Sequence, residues 1–412
     1  MPLRALARVN LAAIERNVAR LERELHGTSA LCAVVKADGY GHGAVPSARA
    51  AIAGGASWLA VATAAEAAQL RAGGIETSIL VMGALSREEL RVALAARADV
   101  VAWSEPFVGE LAVAARDGAG ILKGGEDRVR VHVKLDTGMG RLGTRELDEA
   151  LGVATRVLEA SPALELTGAM THFATADEND AFVREQLERF GPFAAEMRTL
   201  QPGIIVHAAN SAATLCVAAS HLDMVRCGIA IYGCDPMQED PRLRALEPAL
   251  ELTSYVAAVK AAEPGDSVGY GRRFIAREKT WVATVPIGYG DGVRRAFSDN
   301  CELLVGGARY PLVGAVSMDN VTLDVGPECG ARAGARPVMP GDRVTLIGGD
   351  GSQRQTAEQL ARRIETINYE IVCGISGRVP RAYHRDGSRL PPGDEPGLGT
   401  RAVTADEAGR VS

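Results

Sequence analysis

Two lysines and an arginine fall where short apolar runs end, in Val34-Val35-Lys36, Val133-Lys134 and Met224-Val225-Arg226. Two further runs end at His172 and at Asn210. If these runs are strands of one parallel barrel, the side chains at their C-terminal ends share a rim, where polar groups need no buried partner. Three cations on one rim call for an anion. A lysine desolvated among cations has a lowered pKa, which suits it to Schiff-base chemistry. A carbonyl cofactor that bears a phosphate meets both demands. A single lysine at a strand end is usually a surface ion pair, but the convergence of five polar groups weakens that reading.

Lys36 is followed by Ala-Asp-Gly-Tyr-Gly-His-Gly, in which Gly39, Gly41 and Gly43 free the backbone for a tight turn beside a ligand. This run is not the G-x-x-x-x-G-K-S/T nucleotide loop, so ATP is not implied. After Arg226, the backbone N–H groups of Gly228 and Ile229 are candidates for holding a phosphate, as barrels often do beyond strands seven and eight. Ser211 could add a hydroxyl to the same anion or simply cap a helix.

The elements that must position these residues follow from periodicity. Candidate strands cover 31–36, 58–62, 78–82, 99–103, 129–135, 165–172, 204–209 and 224–226, with helix-like segments between them. Among those segments, Asp180 to Leu200 has apolar residues three and four apart. Eight strands alternating with helices predict an α/β chain that begins with a (β/α)8 TIM-type barrel, with an open doubly wound sheet as the competing arrangement. Asn10 is a candidate N-cap for a helix that buries Leu11, Ile14, Val18, Leu21 and Leu25. After about Glu247, strand-like runs at 252–260, 281–285, 302–305, 321–325 and 343–347 are separated by Gly, Pro and Asp turns, which predicts a mainly β C-terminal domain. One helix interrupts it, opened by a capping box at Thr356 and Gln359 and burying Leu360, Ile364 and Ile367. The chain therefore divides into a strand at 1–10 that joins the C-terminal domain, a cofactor-binding barrel at 11–240, a β-rich domain at 241–385 and a flexible tail at 386–412.

Composition narrows the partners. The chain has 412 residues, room for two cores, with 47% apolar and 23% charged residues. A net charge of −6 without a long basic run excludes the electrostatic footprint of a nucleic-acid binder. No apolar stretch spans a bilayer and Met1 to Asn10 lacks a signal-peptide core, so the expected location is cytoplasmic, with no membrane partner. Seven cysteines without a C-x-x-C pair suggest reduced thiols rather than a disulfide framework, and no metal site is expected.

Nine segments carry a family resemblance. They are Val34-Val-Lys-Ala-Asp-Gly-Tyr-Gly-His-Gly43, Lys134-Leu-Asp-Thr-Gly-Met-Gly-Arg-Leu-Gly143, Thr171-His-Phe-Ala-Thr-Ala-Asp177, His207-Ala-Ala-Asn-Ser-Ala-Ala213, Val225-Arg-Cys-Gly-Ile-Ala-Ile-Tyr-Gly233, Ser267-Val-Gly-Tyr-Gly271, Ile287-Gly-Tyr-Gly-Asp-Gly292, Ser317-Met-Asp319 and Thr366-Ile-Asn-Tyr-Glu370. Together they resemble the alanine racemase family, in family order, over about residues 4 to 385.

The resemblance implies an isomerase that interconverts L- and D-alanine with pyridoxal 5'-phosphate, supplying D-alanine for peptidoglycan. It also implies a homodimer in which one subunit's barrel faces the other's β domain. Lys36 would hold the cofactor as an internal aldimine and, once freed, act as base on one face of the substrate Cα. Tyr270 of the other subunit would serve the opposite face, as inversion requires. Arg226 would face the pyridine nitrogen, with His172 bonded to it. Tyr40, Asn210, Ser211, Gly228, Ile229 and Tyr369 would sit at the cofactor, most of them on its phosphate. Arg141 would lie by the phenolic oxygen and the substrate. Lys134 matches a position carbamylated in several members. Met318 and Asp319 would receive the substrate carboxylate, and Tyr289 would line the entrance. Ala315 and Ser317 depart from the arginine and cysteine that many relatives carry, which bears on the substrate corridor. The competing readings are a racemase of wider range, accepting serine or larger residues, a decarboxylase of the same architecture and a non-catalytic cofactor carrier. The decarboxylase would want an acid where Arg226 stands, and the carrier would lack the β domain with Tyr270.

Overall fold

The computed structural model describes residues 3–25, 27–117, 128–329 and 337–389. The chain forms two compact units: Ile14–Ile231, and Met1–Ala13 together with the chain from Tyr232 onward.

The first unit is built on eight parallel strands, numbered here in chain order after the N-terminal strand β1 (Leu6–Asn10). They are β2 (Ala30–Val34), β3 (Trp58–Val61), β4 (Ser78–Val81), β5 (Asp99–Ala102), β6 (Val129–Lys134), β7 (Leu164–Met170), β8 (Ile205–His207) and β9 (Met224–Cys227). Strand β2 pairs with β9 as well as with β3, so the sheet closes into a barrel and the open doubly wound arrangement is excluded. All four residues of β3, β5 and β9 are buried, as expected of parallel strands covered on both faces. Local chemistry starts several of the surrounding helices. Thr63 with Glu66 and Ser86 with Glu89 form capping boxes for Ala64–Ala72 and Arg87–Ala95, and the Asn179 side chain caps Asp180–Leu200.

Of the five strand ends expected to carry a polar candidate, three fall short of it. Strand β2 stops at Val34, β7 at Met170 and β8 at His207, so Lys36, His172 and Asn210 lie just beyond their strands, whereas Lys134 is the last residue of β6 and Arg226 lies inside β9. Just past the strands the ladder still runs on for one residue, Val35 N donating to Ala60 O at 2.9 Å and Thr171 N to His207 O at 3.2 Å. Between β6 and β7 the register slips at Val131/His132. There Gly168 makes room for an imidazole: a Cβ on it would lie 2.0 Å from His132 Nδ1.

The second unit is mainly β. One sheet runs β16-β15-β18-β10-β1-β20-β21, with β19 on β18. A second is β11-β14-β17, and β12 pairs with β13. The ranges are β10 (Leu250–Tyr255), β11 (Ala258–Ala262), β12 (Ser267–Val268), β13 (Phe274–Ile275), β14 (Thr280–Val285), β15 (Glu302–Val305), β16 (Ala308–Pro311), β17 (Val321–Gly326), β18 (Arg343–Asp350), β19 (Gln353–Gln355), β20 (Arg381–Arg385) and β21 (Ser388–Arg389). The N-terminal strand β1 runs antiparallel to β10 and parallel to β20. The run expected as one strand at 252–260 is two strands in different sheets, broken after Tyr255.

Asn10 does not cap the helix Leu11–Glu22: its amide Nδ2 donates to Asp386 Oδ1 at 2.9 Å and its Oδ1 accepts from Asp386 N at 3.1 Å. The capping box at Thr356 and Gln359 is present, but its helix ends at Arg363 and a second follows at Asn368–Cys373. Ile367, expected in the core, precedes that second helix and is exposed. Of the tail expected at 386–412, residues 390–412 lie outside the described residues, and Ser388–Arg389 pair with β20. No two of the cysteines are joined in a disulfide, and four of the seven are buried. Among the described residues no helix is long and apolar enough to cross a membrane.

Candidate active site

The chain leaves β2 through a tight left-handed turn that begins at Lys36. Positive φ runs through Ala37 (52°), Asp38 (52°), Gly39 (61°), Tyr40 (52°) and Gly41 (80°), with Gly43 at 94°. The three non-glycine residues each cost about 1–2 kcal/mol in this region, so the turn persists only if its surroundings over-determine it. They do. Ala37 N donates to Glu66 Oε1 at 2.7 Å, Gly43 N to Asp38 O at 2.7 Å and Ala44 N to Asp38 Oδ1 at 2.9 Å. Strain held this firmly beside a lysine is what a preorganised covalent or catalytic group requires.

Charge gathers around His172. Burial first, then Arg226, Lys134, Arg141 and Lys36 in that order, hold its pKa well below the ordinary imidazole value. The four cations expected at the mouth are therefore close enough to act on one ring. Lys134 is pushed down to about 8, first by burial, then by Arg226 and Arg141, against Asp136. Arg226 is buried and pushed down to about 10 by desolvation, so it remains a cation at neutral pH. Its Nη2 donates to the carbonyls of Thr171 and Ala208, both at 2.9 Å, and to His172 Nδ1 at 3.0 Å, while Nη1 donates to His207 Nδ1 at 2.8 Å. Asp136 organises the turn that carries Arg141 by accepting from the N–H groups of Gly138 and Gly140.

A cradle closes the other side. Asn210, not Ser211, caps the helix Ser211–Cys216, accepting from Ala213 N at 2.9 Å. The Ser211 hydroxyl is left to accept from Gly228 N at 2.9 Å and Ala230 N at 3.4 Å, so the capping alternative for Ser211 fails because its neighbour already fills that position. Tyr40 lies against Gly228 so closely that a Cβ there would stand 2.4 Å from its Oη. Ile229 is fully buried behind them. A bare glycine, two hydroxyls and four nearby cations fit a phosphate-bearing carbonyl cofactor held through Lys36.

The remaining candidates belong to the second unit. Tyr270 sits on a turn between Gly269 (φ 74°) and Gly271 (φ 71°) and is 75% exposed. Tyr289 N donates to Ser317 O at 3.0 Å and Gly290 N to Met318 O at 2.9 Å, which ties the Tyr289 turn to the 317–319 segment. Asp319 accepts from Arg378 Nη2 at 2.6 Å, Ser317 closes a local turn on Asn320, and Ala315 is buried. Tyr369 lies in the helix Asn368–Cys373, half-buried. Three polar residues in the barrel went unassigned from sequence: Asp99, His132 and His207. Their trace was present, because Arg130, His132 and Lys134 alternate along β6 and so share one face of the strand.

Comparison with known proteins agrees with this geometry. Residues 9–236 match the family model described as alanine racemase, N-terminal domain, and residues 249–383 match alanine racemase, C-terminal domain. An alanine racemase of Symbiobacterium thermophilum is 41% identical over 92% of this chain and 96% of its own. Among solved structures, alanine racemase from Streptomyces coelicolor A3(2) superposes with a TM-score of 0.84 at 37% identity, covering 92% of this chain and 97% of that one. The Bacillus anthracis enzyme with bound L-Ala-P gives 0.83 at 36% identity, covering 95% and 98%. Fold and site thus define an isomerase that acts on amino acids. The chain belongs to the alanine racemase family, whose reaction is the interconversion of L- and D-alanine.

Proposed function

We propose that the chain racemises alanine with pyridoxal 5'-phosphate held through Lys36, and the convergence of Lys36, Lys134, Arg141 and Arg226 on His172 is the observation that carries this reading. When bound, the cofactor supplies an electron sink that acidifies the substrate Cα–H. Tyr40, Ser211, Gly228, Ile229 and Tyr369 would hold its phosphate end, Asn210 would sit beside the cofactor, and Arg141 would lie by its phenolic oxygen. Arg226 would be the partner of the pyridine nitrogen and, as a guanidinium that does not readily give up a proton, would not protonate it. Lys36 Nζ takes or returns the Cα proton on one face and Tyr270 Oη does so on the other, so removal from one side and return from the other inverts the centre.

Tyr270 comes from a second copy of the chain in a homodimer. The exposure of Tyr270 (75%), Met318 (51%) and Tyr289 (45%), unusual for such large side chains, supports that assembly. Backbone groups at Met318 and Asp319 receive the substrate carboxylate, and Tyr289 lines its entrance. Lys134 is a site for carbamylation. The enzyme works in the cytoplasm and supplies D-alanine for cell-wall peptidoglycan.

The test is exchange at Cα: L-alanine incubated with the cofactor-loaded protein in deuterated water, followed by chiral analysis. D-Alanine carrying Cα deuterium is the expected product. Cα exchange without inversion would sink the two-base assignment.

A further inference from the structure

Arg226 is the start of a hydrogen-bonded chain that runs through the barrel interior and ends on a carboxylate. Arg226 Nη1 meets His207 Nδ1 at 2.8 Å, His207 Nε2 meets His132 Nδ1 at 2.8 Å, and His132 Nε2 meets Asp99 Oδ2 at 3.2 Å. Asp99 opens β5, at the end of that strand away from the mouth, and its Oδ2 also pairs with Arg130 Nε at 3.2 Å. His132 and His207 are wholly buried.

Chemistry at the two ends fixes the direction of every bond. A guanidinium has donors only, so His207 Nδ1 must be a bare acceptor and its proton must sit on Nε2. That proton is donated to His132 Nδ1, which places the His132 proton on Nε2, where it is donated to Asp99. A carboxylate paired with arginine only accepts, so the far end demands the same direction. Reversing one ring would set N–H against N–H. We infer that Asp99, His132 and His207 form a one-way relay that locks His207 as an acceptor and thereby orients Arg226, making Asp99 and His132 positioning residues for the reaction.

The surroundings hold the rings in place. Gly168 is bare where a Cβ would lie 2.0 Å from His132 Nδ1. Trp58 packs edge-on to His132 with centroids 5.8 Å apart, and the Arg130 guanidinium stands 5.0 Å over the Trp58 ring. His207 stays neutral because burial, Arg226 and His132 all push its pKa well below the ordinary value. Every other recorded partner of Arg226 is a carbonyl or the neutral His172 Nδ1, so the carboxylate that its hydrogen bonds reach is Asp99, two rings away. A relay of this kind keeps the guanidinium charged and fixed without bringing a carboxylate to the mouth, where it would compete with an anionic ligand.

The catalytic consequence rests on the reading of Arg226 as partner of the pyridine nitrogen, whereas the relay itself can be read without it. Long-range proton–nitrogen NMR of the full chain labelled with ¹⁵N-histidine reports ring tautomers directly. His132 and His207 are expected as neutral Nε2–H tautomers. An Nδ1–H or doubly protonated state of either ring in the wild-type protein overturns the inference with no variant needed. Asp99→Leu should mix the tautomers of both rings and lower kcat of the cofactor-loaded enzyme ~10–100-fold, with little change in KM. Asp99→Asn, which keeps an acceptor oxygen, should restore both. Gly168→Ala, which crowds His132 without removing a polar group, should reproduce the Asp99→Leu pattern. Altered tautomers with an unchanged kcat would refute the positioning role and leave the racemase reading intact. Expected tautomers in a wild-type protein that does not racemise would refute that reading instead, and with it the positioning role that rests on it.

Discussion

Lys134 is 4% exposed, and its ammonium makes no recorded hydrogen bond or ion pair among the described residues. Burial, Arg226 and Arg141 pull its pKa from 10.5 down to about 8, against the opposing pull of Asp136. The folded chain therefore holds this proton less tightly than the unfolded chain, and protonation favours unfolding. The penalty is full below about pH 8, shrinks as pH rises toward 10.5 and is gone above it. With 1.36 kcal/mol for each tenfold change in proton affinity, it amounts to ~3 kcal/mol at pH 7 and to about half of that at pH 9.5. Lys134→Met fills the same space without charge, so in buffer freed of carbon dioxide it should stabilise the protein by about 1–3 kcal/mol at pH 7 and distinctly less at pH 9.5.

Bicarbonate gives the complementary arm. The neutral amine attacks the carbon of carbon dioxide and loses a proton, leaving a carbamate anion beside Arg226 and Arg141. Added bicarbonate near pH 8 should stabilise the wild-type chain and leave the variant unmoved. Urea denaturation of both proteins across this pH range measures the gap. A gap that stays flat with pH would refute the desolvated-charge account of Lys134. A wild-type chain indifferent to bicarbonate would remove the carbamate from the site.

Other perturbations should be as direct. Lys36→Ala should lower racemisation at least ~10³-fold and release the cofactor on gel filtration; turnover near wild type would take Lys36 out of the reaction. Tyr270→Phe should leave cofactor absorbance intact while Cα exchange survives from one alanine enantiomer only, and equal loss from both would contradict a one-face role. Gly228→Ala drives a methyl to 2.4 Å from Tyr40 Oη and should weaken cofactor binding about tenfold by equilibrium dialysis, with unchanged affinity counting against the cradle. Asn210→Ala removes the cap of the helix Ser211–Cys216 and should cost ~1 kcal/mol in urea denaturation.

What the sequence made legible, and what it did not, divides along one physical line. Strand-end cations are readable because a parallel barrel has one functional end, so the ends of apolar runs point to a common mouth without coordinates. The helix Asp180–Leu200 is readable because its apolar residues fall three and four apart, and the Asn179 cap found in the structure agrees with that spacing. Asn10 and Ile367 were misread because each is decided by a partner distant in sequence or by a helix that stops early: Asp386 takes the Asn10 amide, and the helix expected to bury Ile367 ends at Arg363. The relay is the deeper case. His132 and Asp99 lie 33 residues apart and His207 lies 75 beyond His132, so nothing local links them; closure of the barrel brings them together, and Gly168 on a fourth strand leaves the room. A polar residue inside a strand of an apolar barrel must find a partner across the interior or cost several kcal/mol. A mid-strand histidine flanked by valines is thus itself a demand for another polar residue, and in a closed barrel that partner is to be sought on the other strands before solvent.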